Sequence, residues 1–244
     1  MALVAVITAF AISCAPTKPE KTIESLKAAI AGETNASAKY QVFSEIATEQ
    51  GYLNIAQMFA AASFAEALHV KNHNAVLEKL GEQQFNPAAE TSGVERNVIL
   101  EVTNEFGEVD TVEVLNPKAT NVNIQTAIDG ETYEFTEMYP AFITIAKEEK
   151  CEDALTTLMW AMEAEKGHAK LYAEALNILD TTGLDANVSS FWYVCTKCGD
   201  LHNTIEDLDV CPVCGENPDS FEKFFNFLGE INEIEETEET DVEI

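Results

Sequence analysis

Two Glu-x-x-His motifs are the residues of this chain best suited to bind metal: Glu66 with His69, and Glu165 with His168, which lie 99 positions apart (165 − 66 and 168 − 69). Residues three apart share one face of a helix, so each motif presents a carboxylate and an imidazole together. One such pair is common on a solvated helix surface. Here, two of the chain's four histidines occupy equivalent positions, which favours a metal site over surface ion pairs.

Each motif follows a Gly-Glu-Thr tripeptide that supplies one further glutamate. The predicted ligand set is Glu33, Glu66, His69, Glu131, Glu165 and His168. It resembles the inventory of a four-helix bundle that holds two metal ions among carboxylates. Two iron ions held close together need bridging oxygen ligands to offset their repulsion. We therefore expect the motif glutamates to bridge, the other two glutamates to be terminal ligands, and each histidine to bind one iron.

The similarity between the two halves extends beyond the ligands. Matching residues lie 98 positions apart up to the Gly-Glu-Thr tripeptides, and 99 apart from Tyr40 and Tyr139 onward. Such self-similarity indicates a duplicated structural unit. We expect two matching helical hairpins. The one-residue shift falls where the second half also gains Glu134 and Pro140, which predicts a difference between the halves at the metal site.

A second metal site is predicted near the carboxyl end. Its residues are Cys195, Cys198, Cys211 and Cys214, in two Cys-x-x-Cys pairs, each followed by glycine. Two such pairs close a tetrahedron of thiolates around one metal, and the glycines relieve a tight turn. Metal is favoured over disulfides, but the spacing does not separate iron from zinc.

The remaining histidines and cysteine have no predicted chemical role. His73, one turn beyond His69, could join a metal site, but we expect it on a solvated helix face. His202 is expected in a loop of the second domain. Cys151 is expected to be a small packing residue.

Hydrophobic periodicity predicts the helices that position these residues. They run from Thr22 toward Gln50, from about Leu53 to Leu80, from near Thr120, and from near Glu152 to just before Thr181. Alternating segments at 97–102 and 109–114 predict a β-hairpin within a long crossover over about 81–119. The predicted fold class is mainly α: a four-helix bundle with a long crossover, followed by a small metal-ribbon domain.

Composition limits the classes of partner. The 244 residues are 46% hydrophobic and carry a formal charge of −29, so we expect a packed core and no nucleic acid partner.

Residues 1–19 have a short apolar run before Cys14, without preceding positive charge, and suggest a lipoprotein signal with Cys14 lipidated. The expected location is the cell envelope, facing the periplasm, with the cytoplasm as alternative and a lipid anchor as the only membrane contact. The expected domains are 20–182 for the bundle, 190–229 for the ribbon and 230–244 for an acidic tail.

From Thr22 to Phe227 the chain resembles the rubrerythrin family, which implies a ferritin-like four-helix bundle followed by a rubredoxin-like domain. The motifs that carry the resemblance are Gly32-Glu33, Tyr40, Glu66-x-x-His69, Glu131, the segment from Glu134 to Pro140, Glu165-x-x-His168 and the cysteines from Cys195 to Cys214. The resemblance implies that Glu134 is a further ligand that exchanges with His69 as one iron changes oxidation state. It also implies peroxide reduction, with Tyr40 and Tyr139 as hydrogen-bond partners of the ligands.

The expected function is therefore a non-haem di-iron peroxidase in oxidative-stress defence. Its substrate would be hydrogen peroxide, and an iron in the four-cysteine site would re-reduce the pair with electrons from an unknown donor. The family's head-to-tail homodimers would place one chain's ribbon against the other's bundle. The alternative is a ferritin-like iron-binding or ferroxidase protein. A plain electron carrier would leave the bundle ligands unexplained.

Overall fold

The structure is a computed structural model that describes residues 18–103 and 109–225. Its helices are α1 (Glu20–Glu49), α2 (Leu53–Lys79), α3 (Ala119–Tyr133), α4 (Tyr139–Glu148) and α5 (Glu152–Thr182). Helix α1 packs along α2, and α3 and α4 pack along α5. The predicted fold class, a mainly α four-helix bundle followed by a small ribbon, is confirmed.

The same turn closes both helical hairpins, as expected of a duplication. In the first hairpin Gly51 has φ +82°, and in the second Lys150, at the equivalent position, has φ +57°. The amide that follows each of them bonds back to a helix carbonyl: Tyr52 to Ala47 at 2.8 Å, and Cys151 to Ala146 at 2.9 Å. A left-handed residue followed by this bond is a standard helix ending. The second half accepts lysine in a conformation that glycine adopts more easily.

The third helix of the bundle is interrupted where the repeat shifts by one residue. Residues Glu134–Met138 form a π-helical turn between α3 and α4. A π-turn accommodates one extra residue within an otherwise continuous helix, and it is frequent at functional sites. The predicted difference between the halves is therefore a local widening of this helix, and Glu134 begins it.

A β-hairpin connects α2 to α3, as predicted. Strands β1 (Asn97–Thr103) and β2 (Val109–Leu115) pair antiparallel, with Val98 opposite Val114 and Leu100 opposite Val112. Several apolar side chains on these strands are exposed, and Ile99 is 73% exposed. The hairpin extends the crossover, and its residues 97–103 and 109–115 belong to neither buried cluster of the bundle.

The small domain is a three-stranded antiparallel sheet of β3 (Phe191–Cys195), β4 (Leu201–His202) and β5 (Phe221–Phe225), in the order β4-β3-β5. A short 3-10 turn, Pro218–Ser220, leads into β5. We call residues 191–225 the ribbon. Its Trp192, Val194 and Leu201 belong to the same buried cluster as Ala65 and Leu68 of α2. The ribbon therefore shares a hydrophobic core with the bundle of its own chain.

Some sequence predictions fall on residues that the structure does not describe. They are the lipidation of Cys14, most of the signal-like segment and the acidic tail, and they stay predictions. Among residues 18–103 and 109–225, every helix is too short or too polar to cross a membrane.

Candidate metal centres

The bundle interior contains the six predicted ligands in one buried cluster. Each of them is at most 1% exposed: Glu33, Glu66, His69, Glu131, Glu165 and His168. Helix α1 supplies Glu33, α2 and α5 each supply a Glu-x-x-His motif, and α3 supplies Glu131. One ligand-bearing turn from each helix thus meets at the same level of the bundle.

The cluster divides into two groups that share two residues. One consists of Glu33, Glu66, His69 and Glu165, and the other of Glu66, Glu131, Glu165 and His168. Within each group the candidate ligand atoms lie within 4.8 Å of one another. The shared residues are the motif glutamates, which is where bridging carboxylates are expected. The geometry fits two ions, each with one histidine and one terminal carboxylate.

The donor atoms fit a pair of cations because protein partners do not satisfy them. Four buried carboxylate oxygens of the cluster form no hydrogen bond within the described residues: Glu33 Oε2, Glu66 Oε1 and both oxygens of Glu165. Glu165 Oε2 lies 2.7 Å from Nδ1 of His168, yet that nitrogen also lacks a hydrogen bond of acceptable geometry. Buried polar atoms are normally bonded. Close, unbonded lone pairs are the arrangement that a shared metal ion completes.

The protonation of the cluster without metal supports the same conclusion. Burial, together with the charge of Glu66, raises the pKa of Glu33 to about 7. Burial and the nearby carboxylates also raise the pKa of Glu131 well above its usual range. Burial opposes a charge on His168, but Glu165 outweighs it and raises the pKa of His168 to about 10. The metal-free cluster thus holds extra protons, which two divalent cations would displace.

Two tyrosines bind the terminal glutamates across the bundle. Tyr40 on α1 donates to Glu131 Oε1 at 2.5 Å, and Tyr139 at the start of α4 donates to Glu33 Oε1. Each phenol therefore orients the terminal carboxylate of the opposite hairpin. This is the hydrogen-bonding position that the resemblance implied for both tyrosines.

Glu134 lies at the edge of the cluster on the side of Glu33. Its Oε2 is buried and unbonded among the described residues, and its Oε1 lies 3.7 Å from the position that a Cβ on Gly32 would occupy. Burial and then the charge of Glu33 raise its pKa well above the usual range. A cavity of about 210 Å³, lined by Glu134, Tyr40, Gly32 and Gly130 among others, lies between α1 and α3. Glu134 thus stands between this cavity and the metal cluster.

The prediction that His73 lies on a solvated helix face is wrong. His73 is 0% exposed. Its Nε2 lies 3.2 Å from the hydroxyl of Tyr139, and its Nδ1 lies 3.2 Å from Oγ1 of Thr157. His73 belongs to neither metal group.

Two further residues had no predicted chemical role. His202, expected in a loop, lies in β4, and its Nε2 lies 2.8 Å from a carboxylate oxygen of Asp200. Cys151 is buried and packs in the core, as expected.

The second site consists of the four ribbon cysteines, whose sulfurs lie within 4.8 Å of one another. They are free cysteines, and the sulfurs lie 3.5 Å apart between Cys198 and Cys211 and 3.6 Å apart between Cys195 and Cys214. A disulfide requires about 2.05 Å. Hydrogen bonding from Cys198 lowers the pKa of Cys195 to about 4, whereas that of Cys198 is raised. A central cation would allow all four to bind as thiolates.

The two sites are in direct contact through the outer nitrogens of the histidine ligands. His69 Nε2 lies 3.0 Å from the carbonyl oxygen of Cys198, and His168 Nε2 lies 3.0 Å from that of Gly199. A carbonyl only accepts, so both imidazoles carry a proton on Nε2. When a metal displaces the second proton, the Nδ1 lone pairs would face the carboxylate cluster, where the metal would bind.

Gly199 makes this contact possible. It has φ +82°, and a Cβ there would lie 2.4 Å from Nε2 of His69 and 3.1 Å from the carbonyl oxygen of Ala65. The expectation that this glycine relieves a tight turn was therefore incomplete, since the residue also allows the ribbon to approach the bundle. The contact lies within one chain. The ribbon-to-bundle approach that the expected head-to-tail dimer was to provide is thus present without a partner, while the dimer itself stays a prediction.

Sequence analysis missed the roles of His73, Thr157 and Gly199. For His73 a signal was available, because its equivalent at the 99-residue offset is Tyr172, a large apolar-bodied residue expected inside the bundle. No local pattern could indicate the contact of Gly199, since it depends on how the ribbon packs on the bundle.

Comparisons with known proteins agree with this geometry. The Rubrerythrin family model matches residues 24–176. Nigerythrin from Nitratidesulfovibrio vulgaris is 35% identical over 82% of this chain and 85% of its own. Rubrerythrin-2 from Clostridium acetobutylicum is 30% identical over 84% of this chain and 97% of its own. A solved structure of nigerythrin in its fully reduced, all-ferrous state superposes with a TM-score of 0.66 at 30% identity, covering 92% of this chain and all of that one. With a di-iron cluster and a four-cysteine metal site in the arrangement described above, this chain belongs to the rubrerythrin family.

Proposed function

We propose that the chain is a non-haem di-iron peroxidase that reduces hydrogen peroxide to two molecules of water. The observation that carries this proposal is Glu134, a fifth carboxylate and seventh candidate ligand, held by a π-turn between the cavity and the six-residue cluster. A protein that only stores iron needs ligands that release the metal. An additional buried oxygen without a partner suits a site that retains its metal while the ligands change.

Each turnover consumes one peroxide, two protons and two electrons and yields two waters. When bound, two ferrous ions would supply the electrons, and an iron in the four-cysteine site would return them one at a time. The chain's own residues do the rest. Glu66 and Glu165 belong to both candidate ligand groups and would hold both ions.

Access and protons are provided at the same end of the cluster. The cavity of about 210 Å³ between α1 and α3 is large enough for peroxide and reaches both Glu134 and Tyr40. Phe43 lines this cavity and packs against Phe59, with 5.2 Å between the ring centroids. The hydroxyls of Tyr40 and Tyr139 hold protons at the terminal carboxylates. Excluding water strengthens each of these interactions.

Electrons have a short route through the ribbon contact. The hydrogen bonds from His69 and His168 to the backbone carbonyls of Cys198 and Gly199, in the first Cys-x-x-Cys pair, connect the ligands of one site to those of the other. This supports a role of the ribbon as the internal electron donor in defence against oxidative stress. An external one-electron donor, not identified by its chemistry, would reduce the ribbon.

Stopped-flow mixing of the fully reduced, iron-loaded protein with peroxide tests the proposal. We expect oxidation of the di-iron site well before the same site reacts with dioxygen at equal concentration. A reaction with dioxygen that is as fast or faster would refute the peroxidase assignment.

The ferroxidase alternative is tested by counting iron after repeated oxidation cycles. Steady retention of about three ions per chain, two in the bundle and one in the ribbon by their ligand sets, supports the peroxidase. Progressive release or accumulation of iron would support the alternative.

A further inference from the structure

His73 is a buried imidazole that neither metal group uses, yet it lies within a continuous chain of hydrogen bonds. Thr157, His73, Tyr139 and Glu33 are linked in that order, with 3.2 Å for each of the first two bonds. All four are at most 5% exposed. They come from α5, α2, the start of α4 and α1, so the chain joins the four helices of the bundle at one level.

The bond between Tyr139 and an ionised Glu33 sets the direction of the other two bonds in this chain. The Tyr139 hydroxyl donates to a carboxylate oxygen of Glu33, so its own oxygen accepts from Nε2–H of His73. A neutral imidazole with its proton on Nε2 accepts at Nδ1, where the Thr157 hydroxyl donates. Burial, and then the charge of His69, lower the pKa of His73 to about 3, which keeps the ring neutral.

The other half of the duplicated structure has no such chain. The residues equivalent to His73 and Thr157 at the 99-residue offset are Tyr172 and Met58. The Tyr172 hydroxyl is buried and forms no hydrogen bond within residues 18–103 and 109–225. Met58 carries no hydroxyl to extend a chain. The halves therefore share the tyrosine-to-glutamate bond but differ in what holds the tyrosine.

The extra links coincide with the π-turn. Tyr139 follows this turn directly, and Glu134 begins it. In the first half, where Tyr40 lacks a histidine partner, α1 is continuous and contains no π-turn. A π-turn is less favourable than α-helix, so its position along the helix must be fixed by contacts at its ends.

We propose that His73 is a positioning residue: through its hydrogen bond to Tyr139 it holds the π-turn in register, and so keeps the carboxylate of Glu134 next to the metal position of Glu33 and His69. The inference depends on the proposed function only where peroxide turnover is measured. Its structural part concerns the metal-free protein as well.

The structural test is hydrogen–deuterium exchange on full-length protein, both metal-free and zinc-loaded. His73→Leu removes both hydrogen bonds at similar volume, and His73→Gln retains an amide that can donate to Tyr139 from the Nε2 position. We expect at least tenfold faster exchange of residues 134–139 in His73→Leu and near wild-type exchange in His73→Gln. Tyr172→Phe, at the equivalent position, should leave these amides unchanged. Equal exchange in His73→Leu and wild type, or equal acceleration in both His73 variants, would overturn the proposal.

The kinetic test is a double-mutant cycle on the iron-loaded protein. If His73 acts through Glu134, His73→Leu should slow peroxide turnover with iron content unchanged, and should have no further effect in a Glu134→Ala background. Additive losses would show that His73 does not act through Glu134. A chain without any peroxide turnover would refute the proposed function and would leave the exchange result to decide the role of His73.

Discussion

His69 on α2 donates a hydrogen bond from Nε2 to the backbone carbonyl of Cys198, over 3.0 Å. One residue is a candidate iron ligand of the bundle, and the other is a candidate metal ligand of the ribbon. The bond requires a proton on Nε2 of His69. The imidazole ring of His69 thus lies between the carboxylate cluster of the bundle and the cysteine site of the ribbon. In this chain the ribbon therefore completes the environment of the bundle site.

Gly199→Ala should separate the two sites. The new Cβ would lie 2.4 Å from Nε2 of His69, so the ribbon must move and the hydrogen bond to Cys198 is lost. Loss of such a partner typically costs about 10- to 100-fold in activity or metal affinity. The rate at which the ribbon re-reduces the di-iron site after one addition of peroxide should fall by about that factor, as followed by ribbon absorbance.

Gly215→Ala is the matched control for this substitution. Gly215 has φ +73°, so alanine is similarly strained there, but a Cβ would meet nothing within 4 Å. Both variants should lose some ribbon stability, but only Gly199→Ala should slow electron transfer from the ribbon to the di-iron site. Equal slowing in both would show that the turn strain matters and the contact with His69 does not.

If electrons pass from ribbon to bundle within one chain, a bundle variant and a ribbon variant should not restore each other's activity in a mixed oligomer. Glu66→Ala removes a bridging ligand of the bundle, and Cys198→Ser removes one of the ribbon. Mixed oligomers, isolated by two different affinity tags, should turn over peroxide no faster than the separate variants. Recovery toward half of the wild-type rate would show that a partner's ribbon reduces the bundle, as the head-to-tail dimer requires.

Glu134 should be needed for peroxide turnover but not for iron binding. Glu134→Ala should retain both bundle irons, because the six-residue cluster persists, while peroxide turnover falls by about 10- to 100-fold. Glu66→Ala and Glu165→Ala should instead lose iron, because each carboxylate contributes to both metal groups. Elemental analysis next to steady-state rates distinguishes these outcomes. Equal iron loss in all three variants would contradict ligand exchange by Glu134.

Metal removal should make stability fall as pH rises. In the metal-free protein the pKa of Glu33 is raised to about 7, and that of His168 to about 10. A group with a raised folded-state pKa stabilises fully below its unfolded value and loses this contribution as pH rises through the folded value. The window is therefore about pH 4.5–7 for Glu33 and 6.5–10 for His168. Glu131, whose pKa is also raised, adds to this decline, whereas His73, whose pKa is lowered to about 3, opposes it below pH 6.5. The Tm of the metal-free protein should therefore decline most clearly from about pH 6.5 to 10.

The iron-loaded protein is the control for the pH experiment. Bound cations keep the carboxylates ionised and the histidines neutral in the folded state, so its Tm should vary much less between pH 5 and 9. A metal-free Tm that rises with pH in this range would contradict the protonation described for the cluster.

The ribbon metal is expected to be iron. A ferric ion bound by Cys195, Cys198, Cys211 and Cys214 gives a red protein that bleaches on reduction, whereas zinc is redox-inert and colourless. A visible spectrum of protein expressed anaerobically with added iron decides between them. Stoichiometric zinc in that protein would remove the ribbon from the electron route.

The sequence by itself determined the ligands, the bundle and the place where the halves differ. Helical spacing aligns Glu66 with His69 whatever the surroundings, and the one-residue shift before Tyr139 marks an insertion that a helix can only accommodate locally. Tertiary structure decided the rest. The burial of His73, its bond to Tyr139 and the approach of Gly199 to His69 depend on side chains from distant segments meeting across the bundle. Sequence periodicity indicates which face a residue occupies, but it carries no information on what packs against that face.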